Sequence, residues 1–124
     1  MVNNKIFKKE DLEIYIEYLE HFIKIYWLGK CTLKNPAEFI DPILEEVIHE
    51  NKNPRKRIIF NFQDFAFMNS SAIIPIISIL KEIKKAGKGS AHVHYNKKER
   101  WQEILLGELK LFETDDKRIQ IKGI

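Results

Sequence analysis

The chain has 124 residues, 44% of them hydrophobic, and a formal net charge of +3 at pH 7. That length fits one domain with a real core, and so small and well-mixed a charge argues against an obligate nucleic-acid binder, which would carry a basic face. The single cysteine, Cys31, excludes an intrachain disulfide, and neither an apolar signal core nor a membrane-length apolar stretch occurs, so a cytoplasmic protein with no membrane association is expected.

Along the chain, strands and helices alternate. EIYIEYL (13–19) and FIKIYWLG (22–29) are rich in β-branched and aromatic residues and predict two strands joined at Glu20 and His21. Residues 29–34 predict a loop. Asn35, Pro36 and Glu38 then read as an N-cap, a proline at the first helical position and a capping-box acid. Phe39, Ile40, Ile43, Leu44, Val47 and Ile48 follow at helical spacing. Pro42 predicts a kink, or a second start capped by Asp41. NKNP (51–54) ends the helix.

RIIFNF (57–62) predicts a central strand, apolar on both sides as if helices covered both faces of the sheet. AIIPIISILKEIKKAG (72–87) predicts a helix whose first two turns are buried. Lys81, Lys84 and Lys85 complement its dipole, and Gly87 stops it. SAHVHY (90–95) alternates as a strand does. Asn96 and Glu99 predict a capping box for a third helix through Trp101, Ile104 and Leu105 to Gly107, and RIQI (118–121) a last strand. The order β-β-α-β-α-β-α-β predicts a layered α/β domain over residues 1–124. Its central sheet would be mostly parallel, with about 4–5 strands covered by helices.

Residues 65–76, FAFMNSSAIIPI, pose a question: Asn69, Ser70 and Ser71 interrupt two apolar runs. Pro75 is harmless only in a helix's first turn, so a cap must lie just before it. One cap is needed and three candidates are present. They lie at the C-terminal end of a central strand, the edge where open α/β sheets bind ligands and partners. A phosphate on a serine there would sit at a helix N-terminus, which favours negative charge, and would repel a partner outside.

RIIFNFQDFAFMNSSAI resembles the core of STAS domains, the family of bacterial anti-sigma factor antagonists. Asn61 sits at the family's polar strand position and Phe67-Met68 at its apolar pair. Asn69-Ser70-Ser71-Ala72 stands at its Asp-Ser-Ser-Gly signature. LKEIKKAGKGSAHVHY is similar to the family's second helix, glycine turn and next strand. Leu105, Gly107 and Leu109 resemble the end of its following helix. The resemblance spans roughly residues 13–121. It implies a non-enzymatic partner-switching regulator of transcription. Ser70, or alternatively Ser71, would be the phosphoacceptor of a serine kinase that doubles as an anti-sigma-factor-like partner. A metal-dependent serine phosphatase would reverse the modification. The implied partner surface comprises Gly29, Lys30, Cys31, Thr32 and Asn35 from the loop, and Phe67, Met68, Asn69, Ser70, Ser71 and Ile73 from the turn and helix start. Asn69 stands where the family has aspartate, and Ala72 where it has glycine. GKCTLKNPAEFIDPIL also resembles stand-alone STAS-like phosphoproteins that bind a diguanylate cyclase. A small-ligand sensor using the sheet edge near Asn61 and Ser70 is the competing class.

No GxSxG elbow, P-loop or GxGxxG occurs, and no motif supplies Ser70 with a base. His92 and His94 share one strand face but have no third partner for a metal. Cys31, ahead of a helix, could have its thiol activated, although a chance loop cysteine is the simpler account. Neither an enzyme nor a cofactor is expected.

Overall fold

The computed structural model describes residues 3–52 and 55–124, so the end of the NKNP breaker lies outside the described residues. The elements are β1 (Lys5–Lys9), β2 (Leu12–Tyr18), β3 (Phe22–Cys31), α1 (Pro36–Glu50), β4 (Arg57–Asn61), β5 (Phe65–Met68), α2 (Ile74–Ala86), β6 (Ala91–Tyr95), α3 (Arg100–Gly107) and β7 (Ile119–Gly123). Short 3-10 turns at Ser70–Ile73 and Glu108–Phe112 lead into α2 and out of α3. The α/β class matches the expectation, but the sheet has seven strands and is mixed. Its order is β1-β2-β3-β4-β6-β7, with β5 beside the end of β3. β1-β2 and β2-β3 are antiparallel, while β3-β4, β3-β5, β4-β6 and β6-β7 are parallel.

Two strands were not legible. β1 is KIFKK, too charged to stand out, and is a sheet edge, where lysine guards against further pairing. Lys5 ties it to α1 through Glu46 and Glu50, each at 2.9 Å, and this bond holds the Glu50 carboxyl below its usual range. β5 is only four residues, hidden in the apolar run before Asn69.

One face of the sheet carries the core. Leu12, Ile14, Ile16, Ile23, Ile25, Trp27, Ile58, Phe60, Val93 and Ile121 are buried there, and the strand registers align them across neighbouring strands. Ile40, Leu44 and Val47 of α1, Ile76, Ile79, Leu80 and Ile83 of α2, and Leu106 of α3 join the same cluster. The expected helices on both faces are therefore corrected to one face. Ile58, Ile59 and Phe60 are all buried, which is why β4 reads as apolar on both sides. Across the sheet the second face is populated by half-buried side chains instead. α2 also departs from expectation at its start, because Ile74 is 55% exposed.

Helix ends differ from the capping-box reading. α1 begins at Pro36 after Asn35, but no side-chain cap bond forms; the Asn35 amide donates to the Glu38 carboxylate at 3.3 Å instead. α1 continues through Pro42 as one helix, so Asp41 starts no second one. α3 begins at Arg100 rather than after Asn96. Gln102, fully buried, ties the segment ahead of α3 to the core instead: its Oε1 accepts the Asn96 N–H at 2.7 Å, and its Nε2 donates to the Phe62 and Phe65 carbonyls at 2.7 and 3.0 Å. The end of α2 is as expected, with Gly87 at φ 70.

On the second face, burial first, then the nearby charges of Arg57, His94 and Lys122, push His92 down to about 4 from 6.5. An unfolded chain therefore binds a proton between these values that the folded chain refuses, so stability falls as pH drops through that window. The melting temperature is expected to fall on acidification from pH 6.5 toward 4, and to fall less in His92→Gln. Equal curves for the two proteins would remove His92 from that role.

Candidate functional site

The two segments expected to form one surface do meet, and the backbone shows how. β3 continues past the expected loop start, through a bulge between Gly29 and Lys30, to Cys31. Gly29 has φ +76, and a side chain there would run into the Asp11 carbonyl. Beyond the bulge Lys30 pairs with Phe67 and Cys31 with Met68 of β5. This lays the loop at residues 31–35 against the turn at residues 67–71.

Asn69 locks the two together. Its N–H donates to the Cys31 carbonyl at 3.0 Å, and its side-chain amide donates to the Leu33 carbonyl at 2.9 Å. The Ser71 hydroxyl donates to Asn69 Oδ1 at 3.2 Å, and the Asn69 carbonyl accepts the Ala72 N–H at 3.1 Å. An aspartate could not donate to Leu33, which gives a physical reason for asparagine here. Asn69→Asp is expected to cost about 1–2 kcal/mol through the lost donor and the carbonyl it leaves unpaired. A denaturant melt reads this, and an unchanged midpoint would contradict the clamp. The Ala72 methyl lies in the core, 2% exposed, so no glycine is needed at that position.

None of Asn69, Ser70 and Ser71 caps a helix with its side chain. Asn69 precedes a 3-10 turn, Ile73 precedes α2, and neither makes a side-chain cap bond. Pro75 still falls in the first turn, where its missing N–H does no harm. Asn61 is likewise used locally, its Oδ1 accepting the Gln63 N–H at 2.9 Å to turn the chain after β4.

Ser70 is different from its neighbours. It is exposed, and its hydroxyl makes no hydrogen bond among the described residues. Lys30, Thr32, Asn35 and Phe67 are exposed around it or on the adjoining loop. Cys31, Met68 and Ile73 are buried and support this surface from beneath. Burial pushes the Cys31 thiol up, so the residue is a core side chain ending β3 and not an activated thiol.

Two further residues belong to the surface. Ile74 is exposed, and Trp101 of α3 lies with its ring centroid 6.2 Å from that of Phe67, which is 44% exposed. A run of rings leads inward from there: Phe67 to Trp101, Trp101 to Phe65 at 6.2 Å, Phe65 to Phe62 at 6.2 Å, and Phe62 stacked on Trp27 at 5.1 Å. Phe67 is thus an apolar side chain held at the surface by the core. Trp101 is distant in sequence and gave no signal of this placement, while Ile74 was masked by the apolar run around it.

His92 and His94 lie 6.1 Å apart on the second face of the sheet, and no third metal-ligating side chain joins them among the described residues. A small cavity of about 100 Å³ lies between the ends of α1 and α2, lined by Asn51, Arg55, Ile83 and Ser90, at the opposite edge from the Asn69 turn. No helix among the described residues is long and apolar enough to cross a membrane.

No family model and no curated protein matches the sequence. Solved structures do match. The anti-sigma factor antagonist SpoIIAA in its unphosphorylated form superposes with a TM-score of 0.54 at 18% identity, over 73% of this chain and 79% of that one. An uncharacterized DUF3478-family protein from Shewanella loihica PV-4, described as having a SpoIIAA-like fold, gives 0.54 at 15% identity, over 100% of this chain and 90% of that one. The chain therefore has the SpoIIAA-like fold.

Proposed function

We propose that this chain is a non-enzymatic bacterial regulator of the partner-switching kind, acting as one cytoplasmic domain. Its surface around Ser70 binds a protein, and phosphorylation of Ser70 breaks that binding. The observation that carries the reading is the setting of Ser70. A hydroxyl that is exposed and makes no hydrogen bond among the described residues sits on a turn whose neighbours are fixed by the Asn69 clamp, in a segment that also exposes Phe67 and Ile74. Exposed apolar side chains gathered into one patch mark protein interaction sites. A phosphate on Ser70 would bring a charge of about −1.5 to −2 into that interface. Ser71 is the poorer acceptor because its hydroxyl is half-buried and bonded to Asn69. The resemblance to anti-sigma factor antagonists supplies the partners: a serine kinase with anti-sigma-factor character, and a metal-dependent serine phosphatase.

The test is site mapping. Incubated with ATP in lysate of its own cells, the wild-type chain is expected to gain one phosphate by intact mass, with the modified peptide carrying it on Ser70. Ser70→Ala should gain none. Phosphate found elsewhere, or an unmodified Ser70 under all growth conditions, would defeat the proposal. Purified protein should show no esterase turnover, because no histidine hydrogen-bonds Ser70 among the described residues.

A further inference from the structure

α1, α2 and α3 all contribute to the core on one face of the sheet, so the second face has no covering layer among the described residues. From β3 to β7 that face holds no carboxylate. Lys24 on β3, Arg57 on β4 and Lys122 on β7 frame the two imidazoles of β6, His92 and His94. None of the three cations makes an ion pair among the described residues. Glu17, directly opposite Lys24, accepts a hydrogen bond from the Tyr26 hydroxyl at 3.1 Å instead. Arg57 Nε and His92 Nε2 are buried without a hydrogen-bond partner among the described residues. Alongside burial, the cations hold both imidazoles below their usual range, which is how an uncompensated positive field acts on a neighbouring base. The net charge of +3 conceals this sorting, since the carboxylates lie mainly on the helices, the connecting turns and β2.

We infer that this open sheet face docks an acidic polypeptide segment of a partner protein. The charges are complementary, and complementary potentials guide which partners dock. The cations are spread, not converged. Lys24 and Lys122 stand three strand spacings apart, roughly 14 Å at about 4.8 Å per spacing. A run of carboxylates spans that distance, while a single small anion does not. Nucleic acid fits less well, because bases need free aromatic platforms. Tyr26, beside Lys24, is already stacked on Tyr15 at 5.7 Å, with the Lys24 ammonium 5.3 Å from its centroid, and Phe22, opposite Arg57, packs edge-on to the His21 ring at 6.5 Å. A second copy of this chain docking through the same face would set like charges against each other. The inference does not rest on the role of Ser70, whose turn leads into α2 on the other side of the sheet.

The test uses the full chain, labelled with nitrogen-15, and dodecaglutamate as the probe at low salt. Amide shifts are expected on β4, β6 and β7, fading as salt rises. Lys24→Gln combined with Lys122→Gln should bind about tenfold more weakly, with an otherwise native spectrum. If the double variant does not fold, Lys122→Gln alone, on an exposed side chain, reads the same loss. Ser70→Asp should bind the peptide as wild type does, which separates this inference from the phosphorylation reading. Absence of shifts at millimolar peptide, shifts confined to the lysines ending α2, undiminished binding by the variants, or equal affinity for dodecauridylate RNA would each overturn it.

Discussion

Replacing Ser70 with aspartate is expected to weaken partner binding by about 10- to 1000-fold while leaving the fold near its normal stability. The two halves of that result have separate causes. Ser70 is exposed and makes no side-chain hydrogen bond among the described residues, so aspartate displaces nothing. It opens a 3-10 turn that leads into α2, where negative charge is favourable. The partner meets the opposite situation. A partner that closes over the turn from Phe67 to Ile74 covers position 70, and an unpaired charge buried there costs several kcal/mol. Each 1.4 kcal/mol is tenfold. Ser70→Ala should bind constitutively. Ser71→Ala should instead cost about 1 kcal/mol of stability through the lost bond to Asn69, with little effect on binding. Titration calorimetry with the captured partner separates these outcomes. A Ser70→Asp protein that unfolds, or binds as wild type does, would return Ser70 to a local structural role.

Leu80→Ala is expected to destabilise the chain by about 2–5 kcal/mol. Leu80 is fully buried on α2, among the side chains of one continuous core. Truncation leaves a cavity that the surrounding sheet and helices cannot collapse around fully. Ile77, one turn earlier, is only partly buried against the same core, so Ile77→Ala should cost less. A denaturant melt showing a loss below about 1 kcal/mol for Leu80→Ala would contradict the packing of α2 against the sheet.

The helices and the long strands were legible because their periodicity is set by burial on one face. Leu12, Ile14 and Ile16 alternate with half-buried residues in β2, and Ile76, Ile79, Leu80 and Ile83 recur at helical spacing in α2. β1 was not legible because an edge strand needs no apolar alternation. The layering was misread at β4, where Ile59 is buried without a helix above it. Caps failed for a related reason: Asn35 with Glu38, and Asn96 with Glu99, have the right identities at the right spacing, but tertiary partners decide whether a side chain bonds the helix. Gln102 instead bonds the Asn96 N–H ahead of α3 and two carbonyls from inside the core, and no local pattern announces it. For the site, the loop and the turn were each visible in sequence, and so was the departure at Asn69. The clamp was not visible, because Leu33 and Asn69 are brought together only by the parallel pairing of β3 with β5.

The central claim is that one exposed hydroxyl governs a protein interface, and the most direct measurement is partner capture with bait of known phosphorylation state. Unmodified and Ser70-phosphorylated chain, each verified by intact mass, are immobilised and exposed to the same native lysate. The account predicts one protein retained by the unmodified chain and by Ser70→Ala, and lost from the phosphorylated chain and from Ser70→Asp. Equal retention of that protein by all four baits would contradict it.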